Sequence, residues 1–298
     1  MIMSKDLKKI LDIGISLSSE KNSKKLLSKI LNFSMEISNC DAATLYLLKD
    51  DNYKKTIYGN EIYRAIEKSK KKTTYKKLIL GDSTANQFYN CKEEDPDSAY
   101  SLSCNQAIGM IGQYILLHNY LEAGNRPDTV YLVYTPFSFW DNLDQVYTYH
   151  YFLKPFYYDE YKPQMSPLVL NQIHKIPKYI LCHFPLIQTT GWAPDIKQEK
   201  RDYSFLSPIS KEYLSIIDSL STKYNFTLNI IPTFVAEHWR DSINHFNRNE
   251  YANSSFEIKL SSYLDNITYL ADSCFADEVH LKNPQLYKSI INKRLHLQ

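Results

Sequence analysis

The sequence predicts an α/β protein in which a parallel sheet is covered by helices on both faces. Short apolar runs without alternation, typical of strands buried on both faces, are separated by segments of helical periodicity. Because crossovers between parallel strands are right-handed, few arrangements of these elements remain. The predicted strands are Lys77–Leu80, Ala99–Ser103, Thr129–Tyr134, Tyr179–Cys182 and Leu228–Thr233. The predicted helices are Ile62–Lys70, Ala107–Leu121, Lys211–Tyr224, His238–Phe246 and Pro284–Lys293.

Residues 1–52 form a separate predicted part. Apolar residues recur at helical spacing over Leu7–Leu17 and again over Leu26–Ile37, with a polar break between them. The apolar run Ala42–Leu48 that follows predicts one strand entering a turn. We therefore expect a small appendage of helices and a strand, through whose helices two copies could form a homodimer.

This N-terminal part is similar to a known domain. Ile13–Glu20, together with Asp41–Leu47 before an acidic turn, resembles the opening of a GAF sensor domain. The similarity ends near Asn52, whereas a complete domain of this kind needs roughly 150 residues. The resemblance implies a partial GAF-like segment.

Residues 53–75 are predicted to be a linker that contains one helix, and residues 76–298 are predicted to be the main domain. The connection Phe137–Trp192 is rich in Tyr and Pro and longer than an ordinary loop. Insertions of this kind at the carboxyl edge of a sheet commonly shape a substrate cleft.

Composition excludes several classes of function. The net charge of +2 gives no reason to expect nucleic acid as a partner. Five widely spaced cysteines indicate neither a disulfide framework nor a zinc site. The first 20 residues contain no apolar stretch long enough for a signal peptide or a membrane span, so we expect a cytoplasmic protein. No phosphate-binding glycine loop occurs, and no cofactor or metal is expected.

The first chemical motif is Gly81-Asp82-Ser83, which ends the first predicted strand of the main domain. Ligand crevices in open α/β sheets lie at the carboxyl ends of strands, and a glycine permits a sharp turn there. Ser83 is therefore a candidate nucleophile. The alternative is a turn and helix cap, in which Ser83 or Asp82 accepts a hydrogen bond from a first-turn amide.

The second motif lies about 200 residues later, where Asp277 and His280 are three residues apart just before Pro284, a suitable first residue of a helix. A neutral serine needs an imidazole to take its proton and a carboxylate to orient that imidazole. The alternative is a capping aspartate and an exposed histidine. Taken jointly with Ser83, the two residues favour a serine esterase.

Gly-Asp-Ser after the first strand and Asp-x-x-His before the last helix resemble the SGNH, or GDSL, hydrolase superfamily over about Lys76–Leu295. The resemblance implies a flavodoxin-like three-layer α/β/α sandwich. It also implies that Ser83 is the nucleophile, His280 the general base and then acid, and Asp277 the residue that orients the imidazole. The backbone amide of Ser83 would be one oxyanion donor.

The two middle blocks depart from the family pattern. The family carries a glycine after the second strand and an asparagine after the third, whereas this chain has Leu102–Ala107 and Val133–Ser138 there. Asn105, through its side-chain amide, or Gln106, through its backbone N–H, is the nearest substitute donor, and Asn142 is more remote. Losing one oxyanion donor typically costs about 3 kcal/mol.

The segment Asn105–Tyr114, together with the strand end Tyr134–Ser138, looks more like the SGNH branch found beside polysaccharide and cell-envelope assembly than like lipases. Members of that branch handle acyl groups, commonly acetyl, on sugars. The resemblance thus implies an esterase acting on O-acyl groups of a small-molecule or polysaccharide substrate. A carbohydrate O-acyltransferase and a non-catalytic binding or regulatory protein on the same scaffold are the alternatives.

Overall fold

A computed structural model describes most of the chain and divides it into two compact units, residues 1–51 and 52–298. The described residues are 12–17, 19–38, 60–91, 98–182 and 201–297. In the smaller unit, residues 12–17 are helical and α1 spans Ser23–Ser38. Both agree with the predicted helices within the described residues. The predicted strand over Ala42–Leu48 lies outside the described residues.

The larger unit contains a four-stranded parallel sheet and a second, two-stranded parallel pair. The four-stranded sheet has the order β2-β1-β3-β4, as in flavodoxin-like folds. The pair consists of β5 and β6. The strands are β1 Lys77–Gly81, β2 Tyr100–Ser101, β3 Thr129–Tyr134, β4 Thr227–Pro232, β5 Phe234–Ala236 and β6 Thr268–Leu270.

Only Thr233 separates β4 from β5, and its N–H donates to the Tyr134 carbonyl at 3.1 Å. The chain therefore leaves its pairing with β3 at this residue and pairs with β6 directly afterwards. Because β5 follows β4 almost directly along the chain, the pair of β5 and β6 continues the parallel arrangement beyond β4.

Two groups of buried side chains cover the two faces of the sheet. Successive strand residues point to opposite faces, so Leu78 and Leu80 belong to one hydrophobic cluster and Ile79 to the other. The first cluster includes residues of the helices α2 (Asn60–Ser69), α4 (Gly109–Glu122) and α7 (Pro208–Tyr224), and the second includes residues of α3 (Ser83–Asn86) and α10 (Lys288–Arg294). The α/β fold class with a parallel sheet between two layers is thus confirmed.

The helices of the larger unit differ in how much of their surface is apolar and in how their ends are capped. α4 is apolar on almost every side and lies in the first cluster, where it packs against α2 and α7. α7 begins after the capping residue Ser207 and ends at Asn225, whose left-handed backbone closes the helix. The helices are α2 Asn60–Ser69, α3 Ser83–Asn86, α4 Gly109–Glu122, α5 Lys154–Phe156, α6 Pro167–Lys175, α7 Pro208–Tyr224, α8 Arg240–Asn244, α9 Glu257–Asp265 and α10 Lys288–Arg294.

Helix α2 lies within the segment that the sequence assigns to a linker. Its Ile62 and Ala65 are fully buried in the first cluster, and the carbonyl of its Lys68 accepts a hydrogen bond from the hydroxyl of Tyr100 at 3.0 Å. This helix is therefore an integral part of the larger unit.

Several predicted elements are wrong or incomplete, among them Pro284–Lys293, which is a 3-10 turn over Pro284–Tyr287 followed by α10. Tyr179–Leu181 forms a 3-10 turn rather than a strand, because a four-residue apolar run does not distinguish a strand from a packed turn. The predicted helix His238–Phe246 is a 3-10 turn over Glu237–Trp239 followed by the short helix α8. The three-residue strand β6 was not predicted at all.

Two side chains link the C-terminal segment to the sheet, one from a strand of the sheet and one from the segment itself. The Lys77 ammonium group donates to the His296 carbonyl at 2.6 Å, and the Arg294 guanidinium donates to the Pro232 carbonyl at 2.8 Å. These contacts join the end of the chain to β1 and β4.

Among the helices of the described segments, none combines the length and apolar character needed to cross a membrane.

Candidate active site

Gly81 ends β1 and gives the next residues room to approach β3. A Cβ atom at this position would meet the Ala85 side chain, and it would lie 2.7 Å from the Val133 carbonyl oxygen. Gly81 pairs in register with Val133 as an ordinary strand residue. The prediction that glycine serves a sharp turn here is therefore wrong, because close packing is what requires it.

Asp82 is fully buried and fixes the chain that leads to Ser83. Its Oδ1 accepts hydrogen bonds from the N–H groups of Thr84 at 2.9 Å and Ala85 at 3.2 Å. Its Oδ2 accepts from the Thr135 N–H at 2.8 Å and from the Ser138 hydroxyl at 2.5 Å. Asp82 thus caps α3 and ties the end of β1 to the end of β3, which leaves the Ser83 hydroxyl for other contacts.

The loop of residues 275–281 carries the second motif and is closed by its own backbone. Phe275 pairs with Leu281 in an antiparallel bridge, and the Ala276 N–H donates to the His280 carbonyl at 2.7 Å. Inside the loop, Oδ1 of Asp277 accepts from the N–H groups of Val279 at 2.9 Å and His280 at 2.7 Å. The loop therefore has a defined conformation without being part of a helix or strand.

The two motifs meet through hydrogen bonds of His280. Its Nε2 lies 2.8 Å from Oγ of Ser83, and its Nδ1 lies 2.8 Å from Oδ2 of Asp277. An ionised carboxylate only accepts hydrogen bonds, so Nδ1 carries the proton and Nε2 is left to accept from the serine hydroxyl. The predicted contacts among the three residues are confirmed, whereas their catalytic role stays a prediction.

The Asp277 carboxyl is suited to remain charged beside the imidazole. Partial burial raises its pKa, but hydrogen bonds from the N–H groups of Val279 and His280, and the His280 imidazole, outweigh this effect and hold the pKa below its ordinary value. About 57% of the Asp277 side chain and 32% of the His280 side chain are exposed. The pair is thus accessible from solvent.

The predicted oxyanion donors lie at the start of α3 and after β2. In the described part of the chain, no protein acceptor takes the Ser83 N–H. Oδ1 of Asn105 accepts from the Ala107 N–H at 2.9 Å, which caps a 3-10 turn and leaves the side-chain NH2 group as the donor. Gln106 lines the same cleft as His280. Asn142 instead binds the Ile209 N–H at 3.3 Å, at the start of α7.

An open cleft of about 640 Å³ extends from His280. Its walls include the rings of Phe137, Trp140 and Trp239, of which Phe137 contacts both indoles at centroid distances of 5.0 and 4.9 Å. The Trp140 indole N–H donates to the Ser204 carbonyl at 2.9 Å, which holds that ring in place. The cleft is lined by Gln106, Phe137, Trp140, Asp144, Gln145, Val146, Tyr147, Arg201, Trp239, Asp277, Glu278, Val279 and His280.

Part of this cleft was predicted and part was not. Phe137, Trp140 and the residues from Asp144 to Tyr147 come from the long Tyr- and Pro-rich connection, which was expected to shape a cleft. Trp239 follows β5, a strand that the sequence did not predict. Its neighbour His238 does not line the cleft, and Nδ1 of His238 lies 2.9 Å from Oδ1 of Asp272.

A group of charged residues lies at and below the cleft wall. The Arg201 guanidinium contacts the Asp144 carboxylate at 3.4 Å. Asp141 is fully buried, and this burial, together with the negative charge of Asp144, raises its pKa to about 7. Oδ1 of Asp141 accepts from the Leu143 N–H at 2.8 Å, whereas Oδ2 has no hydrogen-bond partner in the described residues.

No set of three or more His, Cys, Asp and Glu side chains in the described residues is arranged to hold a metal ion. The sequence matches no protein-family model and no curated protein. The resemblance to SGNH hydrolases therefore stays a prediction from the quoted motif residues.

Proposed function

We propose that this protein is a serine esterase of the SGNH type that removes acyl groups, commonly acetyl, from a carbohydrate. The observation that carries the proposal is the hydrogen-bonded chain from Ser83 through His280 to Asp277, with both contacts at 2.8 Å. A nucleophile, a base and an orienting carboxylate at these distances are what acyl transfer through serine requires.

In the proposed reaction, Oγ of Ser83 forms a bond to the acyl carbon while its proton passes to Nε2 of His280. The bond from the acyl carbon to the sugar oxygen then breaks, and the imidazolium returns the proton to that oxygen. Water attacks the resulting acyl-enzyme and gives its proton to His280. The carboxylic acid leaves as Ser83 regains its proton. Asp277 holds the imidazole tautomer and stabilises the imidazolium.

The tetrahedral intermediates need donors for their negatively charged oxygen. The Ser83 N–H is available, because it has no acceptor in the described part of the chain. The NH2 group of Asn105, and the amide groups of Gln106, are the candidates for the remaining donors.

The cleft supports a carbohydrate as the ester's alcohol part. Aromatic faces are apolar surfaces with fixed geometry, on which the C–H face of a sugar ring can pack. Trp140 and Trp239 offer such faces, while Asp144, Gln145 and Arg201 place hydrogen-bonding groups in the same cleft. A few polar groups among aromatic walls are typical of small-molecule sites.

The proposal is tested with Ser83→Ala, with the exposed serine variant Ser289→Ala as the matched control. The wild type and the control should react with a fluorophosphonate probe and release acetate from p-nitrophenyl acetate and from an acetylated oligosaccharide. Ser83→Ala should lose labelling, and its kcat/KM should fall by about 10³-fold or more. Equal acetate release by Ser83→Ala and wild type would show that Ser83 is not the nucleophile.

A second candidate is a non-catalytic binding protein on the same scaffold. It is favoured by the replaced middle blocks, which lack the glycine and the asparagine of the family pattern. A wild-type protein that binds the acetylated oligosaccharide but neither reacts with the probe nor releases acetate would support this candidate.

An unacetylated saccharide added to the same assay distinguishes transfer from hydrolysis, because transfer gives an acylated acceptor instead of free acid.

A further inference from the structure

Gln87 connects the nucleophile segment to the histidine loop. Its Nε2 donates to the Leu281 carbonyl at 3.0 Å, and its Oε1 accepts from the Leu281 N–H at 3.0 Å. Gln87 is the residue after α3, four positions beyond Ser83, and Leu281 directly follows His280. One side chain therefore binds both backbone groups of the residue next to the imidazole.

The other polar contacts of the histidine loop do not fix its distance from Ser83. The Val279 and His280 N–H groups donate to Asp277 within the loop, and the Lys282 N–H donates back to the Cys274 carbonyl at 2.9 Å. Among the described residues, the only polar links between α3 with Gln87 and this loop are the Ser83–His280 contact itself and the two Gln87 bonds.

At neutral pH, the amide of glutamine is the side chain of this length that makes both contacts. It presents an acceptor and a donor side by side, as a neighbouring β-strand would. Glutamate has the same shape but, when ionised, has no proton to donate to the Leu281 carbonyl. Leucine fills similar space with neither group.

We propose that Gln87 is a positioning residue that sets the distance and orientation of His280 relative to Ser83. This inference rests on the proposed function, because it concerns the same hydroxyl and imidazole. A displacement of about 1 Å between reacting groups can lower a rate about 100-fold. Gln87 would therefore act on kcat without touching the substrate.

The test compares Gln87→Glu and Gln87→Leu with the exposed control variants Gln285→Glu and Gln285→Leu. We expect kcat on p-nitrophenyl acetate to fall about 10- to 100-fold in both Gln87 variants, with KM within about twofold of wild type. The control variants should keep the wild-type kcat. Urea unfolding of each variant checks that the fold is retained, and Gln87→Glu preserves the side-chain shape if Gln87→Leu does not fold.

The pH dependence gives a second measurement that a purely structural role would not change. Protonation of the Gln87→Glu carboxyl restores a donor toward the Leu281 carbonyl. The ratio of Gln87→Glu to wild-type activity should therefore rise as the pH falls from 8 to 5, while the ratio for Gln87→Leu should stay constant. A constant ratio for both variants, or an unchanged kcat in both, would overturn the inference.

NMR of the His280 ring separates failure of this inference from failure of the proposed function. The Nδ1 proton that is bonded to Asp277 and the ring nitrogen signals should shift in both Gln87 variants, whether or not the wild type hydrolyses any ester. An inactive wild type whose ring signals respond to Gln87 would contradict the esterase and keep the positioning role. An active wild type whose ring signals do not respond would do the reverse.

Discussion

The two motif aspartates meet very different surroundings. Asp82 is completely buried just after β1. One of its carboxylate oxygens accepts hydrogen bonds from α3, and the other accepts hydrogen bonds from the segment after β3. Asp277 lies in a loop with about 57% of its side chain exposed, and its bonds stay within four residues of chain. One carboxylate holds distant parts of the fold together, and the other organises a single loop.

This difference shows that Ser83 and His280 are held in place by different means. Ser83 follows a residue anchored in the sheet, so its position depends on the core. His280 lies in a short loop whose Leu281 donates one hydrogen bond to Gln87 and accepts another from it. Substitution of Asp82 should therefore act mainly on stability, whereas substitution of Asp277 should act mainly on catalysis.

The largest expected effect is that of Asp82→Ala. The substitution leaves the N–H groups of Thr84, Ala85 and Thr135 and the Ser138 hydroxyl without their acceptor. Each buried donor without a partner costs about 1–3 kcal/mol, so we expect the free energy of unfolding to fall by about 5 kcal/mol or more. Urea unfolding measures this change. A loss below about 1 kcal/mol would contradict the anchoring role of Asp82.

Asp277→Asn should have nearly the opposite effects, with little change in the unfolding free energy and a large loss of activity. The asparagine oxygen can still accept from the Val279 and His280 N–H groups, so the unfolding free energy should change by less than about 1 kcal/mol. Its NH2 group would donate to Nδ1 and move the ring proton to Nε2, which then cannot accept from Ser83. We expect kcat/KM to fall about 10³- to 10⁴-fold. Steady-state kinetics beside urea unfolding checks both parts.

The wild-type pH profile provides the matching control for Asp277. Because its pKa is held below the ordinary value of 3.8, the stabilisation from its ionised form is fully present above that value. It is lost only as the pH falls through the lowered pKa. Any loss of activity between pH 7 and 5 should therefore not follow protonation of Asp277. NMR titration of the Asp277 carboxyl carbon, compared with the pH profile of activity, checks this.

The smallest expected effect concerns Asp141, which is as buried as Asp82 but, among the described residues, has a hydrogen-bond partner on only one oxygen. Its pKa is raised to about 7, so between pH 3.8 and about 7 the folded chain keeps a proton that the unfolded chain has lost. Its contribution to stability therefore falls as pH rises. Asp141→Asn should raise the melting temperature by about 5 °C at pH 8 and by less at pH 5.

The exposed aspartate variant Asp128→Asn is the control for Asp141→Asn. Its side chain is about 70% exposed, so its effect on the melting temperature should be small at both pH values. If Asp141→Asn stabilised the protein equally at pH 5 and pH 8, the substitution would act through packing and not through the charge.

The sequence was sufficient to predict those features that depend on local pattern. Apolar runs located β1, β3 and β4, and the two motifs located the residues that contact one another across the fold. It offered Ser83 or Asp82 as the cap of α3, and the structure assigns that role to Asp82. The amphipathic helices of the N-terminal part were equally readable, because helical periodicity is a local signal.

Features that depend on tertiary contacts could not be predicted. β6 has three residues, each only half-buried, and no alternation long enough to recognise. Trp239 reaches the cleft because β5 carries it there, and β5 is itself a three-residue strand. The bonds between Gln87 and Leu281 join residues 194 positions apart, for which one sequence holds no signal.

The contact between Ser83 and His280 also joins distant residues, 197 positions apart. During synthesis, β1, α3 and β3 emerge long before the loop that carries His280. In a partly made chain, the Ser83 hydroxyl therefore lacks the imidazole that the proposed reaction requires. The later segment is joined to β1 and β4 through Lys77 and Arg294, so under the proposed function the order of synthesis would delay the onset of reactivity.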